Sequence, residues 1–120
     1  MAGLPKNSRL LTKADYNTVF SKSVKVSNSL FLILIHKTSN PYSRLGLVIS
    51  KKVDKRAVQR NRIKRIIRES FRNTDFEVHC DYAVLARGNI SSLSNKEIFD
   101  SINYLWGQAQ SKVKQIRKTK

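Results

Sequence analysis

Cysteine occurs once in these 120 residues, at Cys80. No internal disulfide can form, and a cysteine-rich zinc site cannot be built. Histidine occurs twice, and the eight acids (Asp15, Asp54, Glu69, Asp75, Glu77, Asp81, Glu97 and Asp100) are scattered along the chain. A protein-based nuclease needs gathered carboxylates for metal ions, or a histidine pair as acid and base. Only Glu97 and Asp100 share a helical turn, and Glu97 is accounted for as a cap. Val78-His79-Cys80-Asp81 holds three ligand types, but neighbours in an extended segment point to opposite faces and cannot converge on one metal. His36, at the end of an apolar strand, reads as a surface residue and not as a base. There is no phosphate-loop motif and no Ser, His, Asp arrangement. No catalytic residue and no protein-bound metal is therefore expected. No apolar run approaches about 18 residues, and Met1 to Leu10 lacks the apolar core of a signal peptide. A soluble, cytoplasmic protein with no membrane partner is the expectation. The length suits one domain, spanning 1–120, with no internal repeat and no linker.

What the chain does hold is positive charge: 24 Lys and Arg give a net +16, and a pI near 10.5 calls for an acidic partner. Lys51 to Arg72, KKVDKRAVQRNRIKRIIRESFR, carries ten of these cations against Asp54 and Glu69, half of the net charge in 22 residues. Ile63, Ile66, Ile67 and Phe71 recur inside it at helical spacing, so it is an amphipathic helix and not a loose basic tail. Steps of roughly 100° place Ser70 with that apolar sector, and Ala57, Asn61, Lys64, Arg65 and Arg68 opposite it. Arg60 and Arg62 fall on the flanks. Asp54 is the expected N-cap, with Lys51, Lys52, Lys55 and Arg56 crowding the positive end of the helix dipole. Folding gains nothing from that arrangement. A polyanion docking there would be favoured by dipole, free N–H groups and side chains together. Nucleic acid is the indicated partner.

Along the rest of the chain, residues 1–8 read as a flexible arm. A short helix follows, with Thr12 as N-cap, Asp15 as the capping-box acid, Leu11 stapled to Tyr16, and an end near Lys22. Val24 and Val26 lead into Leu30 to Ile35, an apolar run that reads as a buried central strand. Periodicity leaves open whether Val24 to Ile35 is one bent strand or two. Thr38 to Ser43 is turn-rich. Arg44 to Ser50 is a strand with Leu45, Leu47 and Ile49 on one face and Gly46 on the other. Asn73 and Thr74 stop the basic helix, and Asp75 to Val78 form a polar connection. Asp81 to Arg87 is a strand closed by Gly88-Asn89. Ser94 and Glu97 form a full capping box, with Leu93 stapled to Ile98. Ile98, Ile102, Leu105, Trp106 and Ala109 then make a helical stripe. From Lys112 to Lys120 the sequence is basic and aperiodic, and reads as a disordered tail.

The run Arg60-Asn61-Arg62-Ile63-Lys64-Arg65, followed by Arg68-Glu69 and Phe71 and preceded by Ser50-Lys51-Lys52 and Ala57, closely resembles the Arg-Asn-Arg signature of the bacterial ribonuclease P protein subunit. The resemblance extends from about Arg9 to Trp106. It implies a single α+β domain of order αβββαβα. The sheet would be mostly antiparallel, with an unusual left-handed βαβ crossover, as in the second domain of ribosomal protein S5. It also implies a ribonucleoprotein whose RNA subunit holds the catalytic Mg²⁺ and removes the 5′ leader from precursor tRNA. The protein is then a cofactor and a monomer within the complex. By this resemblance Arg56, Arg60, Asn61, Arg62, Lys64, Arg65 and Arg68 approach the RNA subunit. Tyr16, Phe20, Ser50, Lys51 and Lys52 would meet the single-stranded leader in a cleft between the first helix and the sheet, where aromatic rings stack bases without regard to sequence. Leu34 replaces a strand aromatic found in some members. The alternatives are a ribosomal RNA-binding protein, which fits the charge but not the Arg60-Asn61-Arg62 context, and a DNA-binding regulator, for which Asn61 is the only amide on the basic face suited to base readout.

Overall fold

Asn28 decides the number of strands. Its side-chain oxygen accepts the N–H groups of Leu30 (2.9 Å) and Phe31 (2.8 Å), and its own N–H donates to the Phe31 carbonyl (2.9 Å). This turn divides the Val24 to Ile35 segment into β1 (Val24–Ser27) and β2 (Phe31–Lys37), antiparallel with Val24 opposite Ile35. The computed structural model describes Arg9 and residues 12–21, 23–37, 42–76, 79–87 and 90–118, the last four as backbone only. The other elements are α1 (Lys13–Ser21), β3 (Arg44–Val48), α2 (Ala57–Arg72), β4 (Cys80–Ala86), a 3₁₀ turn (Ile90–Ser92) and α3 (Asn95–Lys118). The sheet order is β1-β2-β4-β3, with β2 antiparallel and β3 parallel to β4. Helix α2 is therefore the crossover between two adjacent parallel strands, and the expected αβββαβα order with a mostly antiparallel sheet is what forms.

Strand alternation gives the sheet two faces. Phe31, Ile33, Ile35, Leu45, Tyr82 and Val84 meet Ile63, Ile66, Ile67 and Phe71 of α2 and the Ile98, Ile102, Leu105, Trp106, Ala109 stripe of α3. Each fully buried Ile contributes about 1.5–3 kcal/mol, while a like-charge i, i+4 pair costs only about 0.2–0.5 kcal/mol. The apolar stripe of α2 thus outweighs the repulsion on its far side. The one polar residue in that stripe, Ser70, accepts the Trp106 indole N–H (2.8 Å) and donates to the Asn103 side chain. On the opposite sheet face, Val19 of α1 packs on Leu34 and Ala83.

Three expectations change. Asp54 is not the N-cap of α2; that position is Arg56, which caps with no side chain. Asp54 instead closes the preceding turn by accepting the Arg56 backbone N–H (2.8 Å). The tail from Lys112 continues α3 to Lys118, because Val113 extends the Ala109 stripe into the core and Lys112 Nζ donates to the Lys25 carbonyl (2.8 Å). The connection after α2 is not merely polar, since Phe76 joins Phe71, Tyr82 and Trp106 in a ring cluster with centroids 5.0–6.2 Å apart. The question left open by periodicity, one strand or two from Val24 to Ile35, is answered by two, the number that the αβββαβα order implies. The arm at 1–8, the Leu11 half of the first staple, the Lys22 end, most of the Thr38 to Ser43 connector and the Gly88-Asn89 closure lie outside the described residues.

Candidate nucleic-acid interface

Helix α2 presents its charge on a rigid support. Ile63, Ile66, Ile67, Ser70 and Phe71 are buried. Ala57, Asn61 and Arg65 are exposed, with Lys64 and Arg68 half-buried beside them. Among the described residues Asn61, Lys64, Arg65 and Arg68 make no side-chain hydrogen bond or ion pair, so their donors face solvent. The two flanking arginines differ. Arg60 Nη1 donates to the carbonyls of Asp54 (2.9 Å) and Lys55 (2.8 Å). Arg62 reaches Gln59 through Nε (2.9 Å), the Asn95 side chain through Nη1, and the carbonyls of Ser91 (2.9 Å) and Leu93 (3.3 Å) through Nη2.

The turn leading from the edge strand β3 into α2 holds Ser50, Lys51 and Lys52, all exposed. It is pinned by a Val53 N–H to Ser50 carbonyl bond (3.0 Å) and by Asp54, whose carboxylate grips the Arg56 guanidinium at 2.8 and 3.0 Å. Arg56, through side chain and backbone N–H, holds that carboxyl well below the usual carboxylate range.

On the other face of the sheet, α1 carries Tyr16 and Phe20, with ring centroids 6.1 Å apart. Its capping box is complete: Thr12 Oγ1 accepts the Asp15 N–H (3.1 Å) and Asp15 accepts the Thr12 N–H (3.2 Å). Tyr16 is half-buried against the Val19, Leu34, Ala83 cluster, while Phe20 is 44% exposed. Beneath them the sheet is aliphatic, with Leu32, Leu34 and Leu85. Arg44, at the start of β3, donates to Asp81 at 2.8 and 2.6 Å and lies 3.5 Å from Asp15, tying β3, β4 and α1 together. Sequence reasoning missed this triad and the Arg62 contacts. Both depend on strand register and loop placement, which local pattern does not carry.

The acids are largely committed. Asp15 and Asp81 hold Arg44, Asp54 holds Arg56, Asp100 holds Lys96 (2.8 Å), and Glu97 closes the second capping box with Ser94 (3.1 Å each way). Among the described residues no three of His, Cys, Asp and Glu gather as a metal site. Cys80 is buried, which pushes its thiol up and keeps it protonated. Its neighbour Asp81 points to the other face of the sheet, toward Arg44. His36 sits at the end of β2, opposite Asp81.

The sequence profile of the Ribonuclease P family matches residues 4–110. The chain belongs to the ribonuclease P protein family. The ribonuclease P protein component of a Marinomonas species is 43% identical over 110 residues, covering 90% of this chain and 83% of that protein. That of Histophilus somni is 39% identical over 105 residues, covering 87% and 88%. Among solved structures, the Staphylococcus aureus ribonuclease P protein superposes with a TM-score of 0.80 at 30% identity, over 86% of this chain and 95% of that one. The Thermotoga maritima ribonuclease P protein gives 0.72 at 28% identity, over 81% and 93%. As a ribonuclease P protein, the chain is tied to tRNA processing, and the basic helix and the aromatic pair both lie within the matched span.

Proposed function

We propose that this chain binds the catalytic RNA subunit of ribonuclease P through α2 and the 5′ leader of precursor tRNA through α1 and the Ser50–Lys52 turn. The observation that carries the reading is the solvent-facing row Asn61, Lys64, Arg65, Arg68, backed by a packed core and facing no acidic partner among the described residues. Such a row neutralises phosphate charge, while exposed Phe20 beside Tyr16 offers a stacking surface. Among the described residues the donor set does not suit Mg²⁺, because five acids are engaged with cations or caps and no three ligating side chains gather. The metal is assigned to the RNA, and with it the endonucleolytic step. The protein acts in the cytoplasm as a monomer within the ribonucleoprotein.

Reconstitution tests this. The protein alone leaves precursor tRNA intact, and with a bacterial ribonuclease P RNA it lowers the Mg²⁺ concentration needed for cleavage. Site-specific cleavage by RNA-free protein, or an unchanged Mg²⁺ requirement, would overturn the reading. Recovery of whole ribosomal subunits with the protein, in place of one structured RNA, would favour a ribosomal role.

A further inference from the structure

The Arg60-Asn61-Arg62 run does not act as one unit. Consecutive residues on a helix point about 100° apart, and only Asn61 of the three faces straight outward. Arg60 turns back to the helix start, where one nitrogen bridges the carbonyls of Asp54 (2.9 Å) and Lys55 (2.8 Å). Arg62 turns the other way, and each of its three nitrogens is engaged, on Gln59, on the Asn95 side chain, and on the Ser91 and Leu93 carbonyls. The basic turn before α2, the helix itself and the turn before α3 therefore meet in one hydrogen-bonded junction. A guanidinium binds phosphate best as a two-pronged fork. Arg62 cannot offer that fork without releasing carbonyls of a second segment of the chain.

We propose that Arg60 and Arg62 are positioning residues. They clamp the Ser50–Arg56 turn and the Ser91–Asn95 turn onto α2, so that Lys51 and Lys52 are held in place for the leader, and RNA-subunit phosphates meet Asn61, Lys64, Arg65 and Arg68 instead. The proposal rests on the RNA-binding reading above and refines which side chains carry it.

Three measurements on the full chain separate the two: the salt dependence of affinity for a bacterial ribonuclease P RNA, the thermal midpoint of the free protein, and the ratio of precursor to mature tRNA affinity in the assembled complex. Arg65→Ala lowers the salt slope by about 1 with the midpoint unchanged. If it does not, the RNA-binding face itself fails, whatever Arg62 does. Arg62→Ala lowers the midpoint by about 5 °C or more and moves the slope by well under half the Arg65→Ala change. Arg60→Ala lowers the precursor-to-mature ratio at unchanged slope, because the lysines lose their tether. Arg60→Lys restores the ratio, since one ammonium can bridge two carbonyls. Arg62→Lys does not restore the midpoint, since one ammonium cannot reach acceptors in three directions. A slope loss of about 1 in Arg62→Ala with an unchanged midpoint, or an unaltered ratio in Arg60→Ala, overturns the clamp. If Arg62→Ala fails to fold, the stability loss is met and the Arg60 pair decides the rest.

Discussion

Phe20 shows 44% of its surface to solvent, while Tyr16, one turn earlier, rests on the Val19, Leu34, Ala83 cluster. Both fall on one helical face, and side-chain chemistry alone would rank Tyr16, whose hydroxyl favours a wet edge, as the more exposed of the two. Their burial makes Phe20→Ala the cleaner probe of leader stacking. It should weaken precursor tRNA binding by roughly 1–3 kcal/mol per base stack lost, with mature tRNA affinity and the thermal midpoint unchanged. Equal loss for both tRNAs would show that this surface does not read the leader. Tyr16→Ala should lose the same selectivity and also some stability. Arg44 belongs to the same scale. Its partner Asp81 is 4% exposed, so Arg44→Ala strands a buried carboxylate and should cost on the order of 3 kcal/mol. Adding Asp81→Ala should recover part of that, because an unpaired buried charge costs more than a missing pair. Urea titrations of the single and double variants decide it; a double variant less stable than Arg44→Ala would refute the argument. Asp54 adds a pH dependence of known sign. Its carboxyl is lowered in the folded chain, so its contribution is complete above the ordinary carboxylate range, fades as pH falls from that range toward the lowered value, and is gone below it.

At the scale of elements, the two capping boxes make a test of local stability. Ser94→Ala removes one acceptor at the start of α3 and should lower stability by about 1 kcal/mol, read as a shift in denaturation midpoint, with RNA affinity unaffected in the folded fraction. No shift would mean that the Glu97 side of the box is sufficient. These boxes, the five buried residues of α2 and the stripe of α3 are all readable from sequence, because each is set by contacts within one or two helical turns. What escapes local pattern needs a distant partner. Asn28 looks like any polar residue between apolar runs until its side-chain N–H is seen to donate to the Ser101 hydroxyl of α3 (2.8 Å). Val113 sits among lysines and is helical because the sheet lies under it. Arg44 opposite Asp81 is a matter of parallel register, and Arg62 depends on where the turn after β4 comes to rest. Phe76, in a stretch that reads as polar, is held by three rings from α2, β4 and α3.

For the whole molecule the deciding quantity is a net charge of +16 on 120 residues, half of it carried by Lys51 to Arg72. Such a surface attracts any polyanion, so charge alone does not distinguish a specific RNA partner from a nonspecific one. The distinction lies in how affinity falls with salt. Each phosphate neutralised releases counterions, and log affinity drops with log salt by about 0.9 per contact on a duplex of B-DNA charge density. The α2 row of Lys64, Arg65 and Arg68, together with Lys55 at its start, can supply about four contacts, which predicts a slope near −4 for the RNA subunit. A nonspecific partner should share much of that slope but lose measurable binding at physiological salt, because it lacks contacts that do not depend on ions. Measured side by side, a ribonuclease P RNA should keep a salt-independent remainder that an unrelated RNA of equal length does not. Parallel lines of equal intercept for the two RNAs would mean that the protein reads charge alone, and that the fit between α2 and its partner contributes no selectivity.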